Sequence, residues 1–329
     1  MSVFAFSRCA FGICAAVMVL AGCGGSQAPI GAPGAQAQAE MRSGAAAWTT
    51  PRLTLALGSP GYKTTDALVY AVSNEDWKVA VYPARAKDPA PLATITDGLN
   101  LSFGACIDSQ GTLYVTNEPP STGWVSEYPL GEVTPSRIIT DGISEPAYCT
   151  IDANGSLWVA NAGGANVTEY LKGSKKPHAV ITDSLTHPVG IAIDRSGNLY
   201  VGNGYGAPQQ NVEVYAPGSK SRSRTITNGV TSPTGLAVDS NGTVYVANVF
   251  QNTVAEYKKG QGDPFQTITQ AIEHPGAVAV DKKGVLYVSN IGNNTVVEFA
   301  PGSITPLKRQ IAQGLSEPTG VAYYPALLP

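Results

Sequence analysis

The sequence predicts an all-β fold: a six-bladed β-propeller of four-stranded blades, closed by a C-terminal strand that completes the N-terminal blade. Three observations predict it. The composition is rich in turn formers, with 36 Gly and 24 Pro in 329 residues, and only 14% of residues are charged. One ten-residue motif recurs with fixed internal spacing. The strands at the two chain ends are complementary, one end lacking what the other has left over.

The motif is first complete at Asp108-Ser-Gln-Gly111-Thr-Leu113-Tyr114-Val115-Thr116-Asn117, and again at Asp152–Asn161, Asp194–Asn203, Asp239–Asn248 and Asp281–Asn290. A degenerate copy ends at Ala71-Val72-Ser73-Asn74. The closing Asn falls at 74, 117, 161, 203, 248 and 290, in steps of 43, 44, 42, 45 and 42. A period in the low forties with several short strands per unit is a propeller signature.

Each unit reads as four strands. Pro188-Val189-Gly190-Ile191-Ala192-Ile193 is an inner strand of small and apolar residues. Asp194 and Gly197 make the tight turn that follows, because Asp bonds the backbone two residues on and Gly accepts positive φ. Leu199–Val201 is the second strand and Val212–Tyr215 the third, matched by Val125–Tyr128, Val167–Tyr170, Val254–Tyr257 and Val296–Phe299. The aromatic ending the third strand packs between neighbouring sheets. Arg224–Thr227 supplies the fourth. Inner strands start near Phe103, Ala147, Val189, Thr234, Gly276 and Thr319, and almost nothing follows the last. The first unit has its second to fourth strands near Leu68–Val72, Val79–Tyr82 and Leu92–Thr96, but no inner strand of its own. The tail should therefore enter that blade, which also hides two edges open to aberrant pairing.

The chain divides into three parts. Residues 1–22 carry Arg8 and then an uncharged apolar run too short for an ordinary membrane span. That run ends in Leu20-Ala21-Gly22-Cys23, which resembles the bacterial lipobox. The resemblance implies cleavage before Cys23, lipidation of Cys23 and membrane attachment through more than one acyl chain. Residues 23–50 read as an Ala/Gly/Pro/Gln tether of about 25–30 Å root-mean-square reach. Residues 51–329 form the propeller, with 50–65 unassigned. Gly24 is not a retention-type Asp, which favours the outer membrane of a bacterial envelope, the propeller facing the periplasm or the exterior. A formal charge of −3 does not favour nucleic acid, whose phosphates need a basic face.

Pro-x-Gly-Ile/Leu/Val-Ala-Ile/Val-Asp followed by Gly-x-Leu-Tyr-Val-x-Asn resembles NHL-type propeller repeats over roughly residues 66–324. The resemblance is specific for fold and not for function, since propellers of this superfamily serve as lyases, lactonases, sensor ectodomains and binding modules. Amidating lyases of this type use a cluster of channel His, whereas this chain has His178, His187 and His274 alone. Streptogramin-lyase-like propellers carry Pro-His at the inner strand, and here the order is His187-Pro188 and His274-Pro275. The Glu, Asn and Asp ligands of lactonase-type propellers have no equivalent.

Chemistry should gather at the face where inner strands begin, here called the top. Glu145, His187, His274 and Glu317 each precede an inner-strand Pro and are the candidate catalytic residues, as acid and base or as ligands of a divalent metal. Their ordinary alternative is solvated loop. No cofactor is expected. Trp77, Trp124, Tyr205 and Phe250 follow the second-strand Asn, and Tyr148 replaces the inner-strand Gly. Aromatics among Gly, Pro and amide residues suit recognition of a glycan or protein ligand. The repeated Asn stabilises turns. Cys106 and Cys149 lie at opposite parity on consecutive inner strands. They either bond across one seam in an oxidising compartment or remain small buried hydrophobes. The leading expectation is a membrane-anchored binding or scaffold module. The alternative is a propeller lyase or lactonase-type hydrolase.

Overall fold

The computed structural model describes residues 67–325, apart from 120–121 and 207–208. The proposed leader, Cys23, the tether and residues 50–65 lie outside the described residues. Among the described residues, twenty-four strands form six antiparallel sheets of four.

Blade 1 pairs β24 (Pro318–Tyr324) with β1 (Leu68–Ser73), β2 (Lys78–Pro83) and β3 (Ala93–Ile95). Blade 2 is β4 (Ser102–Ile107), β5 (Leu113–Asn117), β6 (Trp124–Tyr128) and β7 (Arg137–Ile139). Blade 3 is β8 (Pro146–Ile151), β9 (Leu157–Asn161), β10 (Asn166–Tyr170) and β11 (Ala179–Ile181). Blade 4 is β12 (Ile191–Ile193), β13 (Leu199–Asn203), β14 (Asn211–Tyr215) and β15 (Arg222–Ile226). Blade 5 is β16 (Pro233–Val238), β17 (Val244–Asn248), β18 (Thr253–Tyr257) and β19 (Gln266–Ile268). Blade 6 is β20 (Pro275–Val280), β21 (Leu286–Asn290), β22 (Thr295–Phe299) and β23 (Pro306–Ile311). In blade 4 the inner pairing extends above β12 through Val189 N–H to Gly202 O and Gly202 N–H to Gly190 O, both 2.8 Å.

The ring closes as the strand count requires. β24 runs antiparallel to β1 with Leu68 opposite Tyr324 and Ala71 opposite Val321. This register corrects one alignment. Ser73, not Asn74, faces Pro318, just as Asn290 faces Pro275. Ser73 therefore occupies the repeated Asn position in blade 1, and its Oγ accepts from Ser316 N–H at 3.3 Å. Asn74 lies one residue further and donates to Ser102 O of blade 2.

The core lies in the seams between sheets rather than within one layer. Val72, Val81, Ile107 and Val115 fill the seam of blades 1 and 2, and Val214, Leu236, Val244 and Tyr257 that of blades 4 and 5. The third-strand aromatics are fully buried, and their hydroxyls satisfy carbonyls of the connection entering the same blade: Tyr128 to Asp97 O, Tyr170 to Asp141 O and Tyr215 to Asp183 O, each 2.6 Å. Burial drives these phenols well above their usual pKa. At the bottom face each motif Asp caps its own turn; Asp108 Oδ1 accepts from Gln110 and Thr112 N–H, both 2.8 Å.

Candidate functional site at the top mouth

The repeated Asn builds the top face. Its Oδ1 accepts from a backbone N–H 17 residues earlier, and in blades 3 to 6 its Nδ2 donates to a carbonyl 19 residues earlier. In blade 5 these are Asn248 Oδ1 with Thr231 N–H and Nδ2 with Gly229 O, both 2.9 Å. In blade 6 they are Asn290 with Glu273 N–H at 3.0 Å and with Ala271 O at 2.9 Å. The loop entering each inner strand is thus tied to the loop leaving the second strand. An amide supplies both an acceptor and a donor, which is why Asn recurs.

That tie fixes the residue preceding each inner strand. Leu101, Glu145, Ser232, His274 and Glu317 all take left-handed φ between 44° and 49°, which L-residues adopt only when the surroundings hold them there. Four are held from the preceding blade: Glu145 N–H donates to Thr122 O, Ser232 N–H to Gln210 Oε1, His274 N–H to Asn252 Oδ1 and Glu317 N–H to Asn294 Oδ1. His187 is the exception, with its N–H on Asn203 Oδ1 of its own blade at 3.1 Å.

Tyr148 closes the channel. The equivalent inner-strand positions are Gly104, Gly190, Gly235, Ala277 and Gly320, so the ring is small everywhere except blade 3. A Cβ on Gly104 would lie 2.7 Å from the Tyr148 ring and 2.6 Å from Ala147 O, so these strands approach too closely for side chains. Tyr148 is 5% exposed, with Phe103 against its ring edge at 5.3 Å between centroids. Its hydroxyl lies 2.8 Å from Gly276 O of blade 6 and 2.7 Å from Thr319 O of blade 1. Beneath it a cavity of about 130 Å³ is lined by the lower inner strands, including Ile107, Ile151, Ile193, Val238 and Val280.

Above the plug, a continuous arc runs over blades 2 to 5. Glu118, immediately after Asn117, is pushed up to about 8 by burial and by the neighbouring Glu145 carboxylate. Glu145 leans over Gly163, where a Cβ would meet its carboxyl carbon at 2.8 Å. Burial lowers the His187 pKa, opposed by Glu145. His187 and Tyr205 rings lie 6.3 Å apart, and Tyr205 and Phe250 rings 5.7 Å apart. Tyr205 is buried, whereas Phe250 is 57% exposed and forms the outer lip. Chemically, the arc offers one carboxyl group with a raised proton affinity, Glu118, a second carboxyl group beside it at Glu145, an imidazole whose charged form burial disfavours and an aromatic wall.

Of the residues singled out from sequence, Glu145, Tyr148, His187, Tyr205 and Phe250 come together here. His274 and Glu317 belong to the far side of the ring, in blades 6 and 1. Trp77 is exposed on blade 1, away from this arc. Trp124 begins β6 and spends its indole N–H on Gly98 O and Ser126 Oγ, both 3.1 Å. Among the described residues no group of three His, Cys, Asp or Glu is arranged to hold a metal ion. Sequence reasoning missed Glu118. Its signal was position: the residue after the repeated Asn is Ala162, Gly204, Val249 and Ile291 in blades 3 to 6, and only blade 2 places a carboxylate there. Cys106 and Cys149 form a disulfide across the seam of blades 2 and 3, with Cα atoms 5.6 Å apart.

Solved structures share this architecture. A chain from a crystal structure of a nidogen/laminin complex superposes with a TM-score of 0.61 at 16% identity, over 78% of this chain and 98% of that one. A protein of unknown function from Bacteroides caccae superposes with a TM-score of 0.63 at 12% identity, over 79% of this chain and 99% of that one. At such identities the likeness is one of fold. No family model and no curated protein matches the sequence.

Proposed function

We propose that this propeller is a lipid-anchored binding module of the bacterial envelope that engages a protein ligand through its top face, over blades 2 to 5. The observation that carries the reading is the shape of the mouth. Tyr148 fills the channel from blade 3 to blades 6 and 1, so the top face presents a surface rather than a hole. On that surface an exposed Phe250 backs onto a buried Tyr205, the arrangement of an anchor residue at a recognition surface. The nidogen/laminin neighbour is itself an assembly of two proteins, which supports the reading by analogy of fold alone. Cys23 and the tether would hold the module at the outer membrane while letting it reorient.

A photo-crosslinking residue placed at 250 tests this in intact envelopes, with 304 as control. Ile304 is similarly exposed, at 47% against 57% for Phe250, but lies in the turn between β22 and β23 on the opposite face. One discrete protein adduct from 250 and none from 304 is expected. Equal adducts from both, or adducts with polysaccharide only, would end the protein-ligand reading.

One observation favours a second reading, a lyase or lactonase-type hydrolase. Glu118 is raised and His187 lowered, which favours a protonated carboxyl and an unprotonated imidazole on the same arc, the forms needed of a general acid and a general base. Turnover of lactone or uronate-type substrates lost in both Glu118→Gln and His187→Ala would favour it.

A further inference from the structure

We infer that the top-face arc selects its ligand through one cationic side chain, lysine or arginine, received by Glu118 and Glu145 with the apolar stem against Tyr205 and Phe250. The inference rests on the top-face reading and adds the chemistry of what is bound.

Glu118 and Glu145 come from consecutive blades, and the Glu145 carboxylate adds to burial in raising the Glu118 pKa. No described ion pair includes either of them; the described pairs lie at Lys78, Arg85, Arg137, Arg222 and Arg309. No described hydrogen bond engages the Glu118 side chain, although its backbone N–H is bonded to Leu101 O at 3.1 Å. Burial disfavours the charged form of His187 more than Glu145 favours it, which weakens His187 as a counterion to the pair. The Tyr148 phenol lies within the field of Glu118 and of Tyr205, and burial keeps both phenols protonated. No described cation offsets the two carboxyl groups; Glu118 holds its proton below about pH 8, and the charge that the mouth gains above that pH is negative, so it offers an anionic ligand no counter-charge.

The aromatic lip supplies the second half. Cations on apolar stems gain from aromatic faces as well as from carboxylates, and the gain grows when water is excluded. Phe250 is the most exposed large apolar residue among those described, and it sits at the end of the same arc. A carboxylate pair beside an aromatic wall complements a long basic side chain better than a glycan hydroxyl or a neutral peptide. Arrival of the cation also favours ionised Glu118, so binding releases a proton and tightens as pH rises toward 8.

Two probes of one shape test this on the full chain: 2-phenylethylguanidinium and its neutral counterpart 2-phenylethylurea, titrated calorimetrically. The guanidinium should bind at least about tenfold more tightly than the urea at pH 8.5, with a smaller preference at pH 6.5. Glu118→Gln should bring that preference to about twofold or less while unfolding at an unchanged or higher temperature. Equal affinity for both probes, no saturable binding of either, or an undiminished preference in Glu118→Gln would each overturn the inference. Crosslinking from position 250 in the Glu118→Gln background separates the two levels. An adduct that persists without a cation preference leaves the top-face reading standing and removes this one; loss of the adduct in the parent chain removes the reading beneath it.

Discussion

The Tyr148 hydroxyl crosses the ring to the Gly276 carbonyl on the opposite blade, 2.8 Å away, and reaches Thr319 O at 2.7 Å. One side chain thus touches three of the six inner strands, including the one that closes the molecule. Tyr148→Phe keeps the ring and removes the hydroxyl, taking away the one donor that the Gly276 and Thr319 carbonyls share. A loss of about 1–3 kcal/mol in denaturant unfolding is expected. Tyr148→Gly restores the small residue of the other blades but opens a void in a ring already built around the tyrosine. About 3–5 kcal/mol should be lost. Tyr148→Gly proving as stable as the parent would show that the plug carries no structural weight.

The Asn ties give a prediction that separates blade 1 from the rest. Asn117 Oδ1 accepts from Asn100 N–H at 3.0 Å and Ser102 Oγ at 2.9 Å, fully buried. Asn117→Ala should cost about 2–3 kcal/mol, because those donors cannot reach water. Ser73→Ala removes a single 3.3 Å bond and should cost about 1 kcal/mol or less. Equal losses at the two positions would contradict the register assigned to the closing blade.

Most of the fold was legible because its unit repeats. Asp108, Gly111 and Asn117 each solve a local backbone problem, and five full copies at one spacing leave little choice of architecture. The slip at Asn74 has a physical origin. Blade 1 is assembled from both chain ends, its β24–β1 pairing shifts at Val72/Ser73, and a nearby Asn one residue late looks like the motif. The site was half legible. Glu145, His187, Tyr205 and Phe250 stand at loop positions that the repeat defines. Their grouping into one arc depends on which blades are neighbours, and Trp77 and Trp124 fell out for that reason and because an indole N–H can be spent locally. Glu118 was hidden because nothing in one sequence marks a carboxylate as poorly solvated.

The disulfide clasps two inner strands that are 43 residues apart in sequence. Closing a loop of that size restricts the unfolded chain by about 2–4 kcal/mol. Cys106→Ala/Cys149→Ala should fall by about that amount, and parent protein denatured without reductant should show no titratable thiol at either position. Two free thiols there would rule the clasp out.

Closure gives a sharper outcome. β24 contributes the inner strand of blade 1, and its removal bares the edge of β1, whose six residues are all buried. A chain ending at residue 314 should lose the cooperative unfolding transition and aggregate through that edge. Adding a peptide spanning 315–329 in trans should restore part of the transition. A truncated chain melting at the parent temperature would mean that the ring does not depend on this strand.

Glu118 ties stability to pH in a direction opposite to a salt-bridged carboxylate. Its folded pKa is raised to about 8, above the ordinary carboxylate value of 4.5 that the unfolded chain keeps. Between those values the folded state holds a proton that the unfolded state has lost. The contribution is therefore fully present below the unfolded value and disappears as pH rises through about 8. Glu118→Gln cannot ionise. It should match the parent at pH 4 and exceed it at pH 9, with the difference opening between pH 5 and 8. Thermal melts of both proteins across that range measure it. Parallel profiles would place Glu118 in free solvent, and the mouth would lose its poorly solvated carboxyl group.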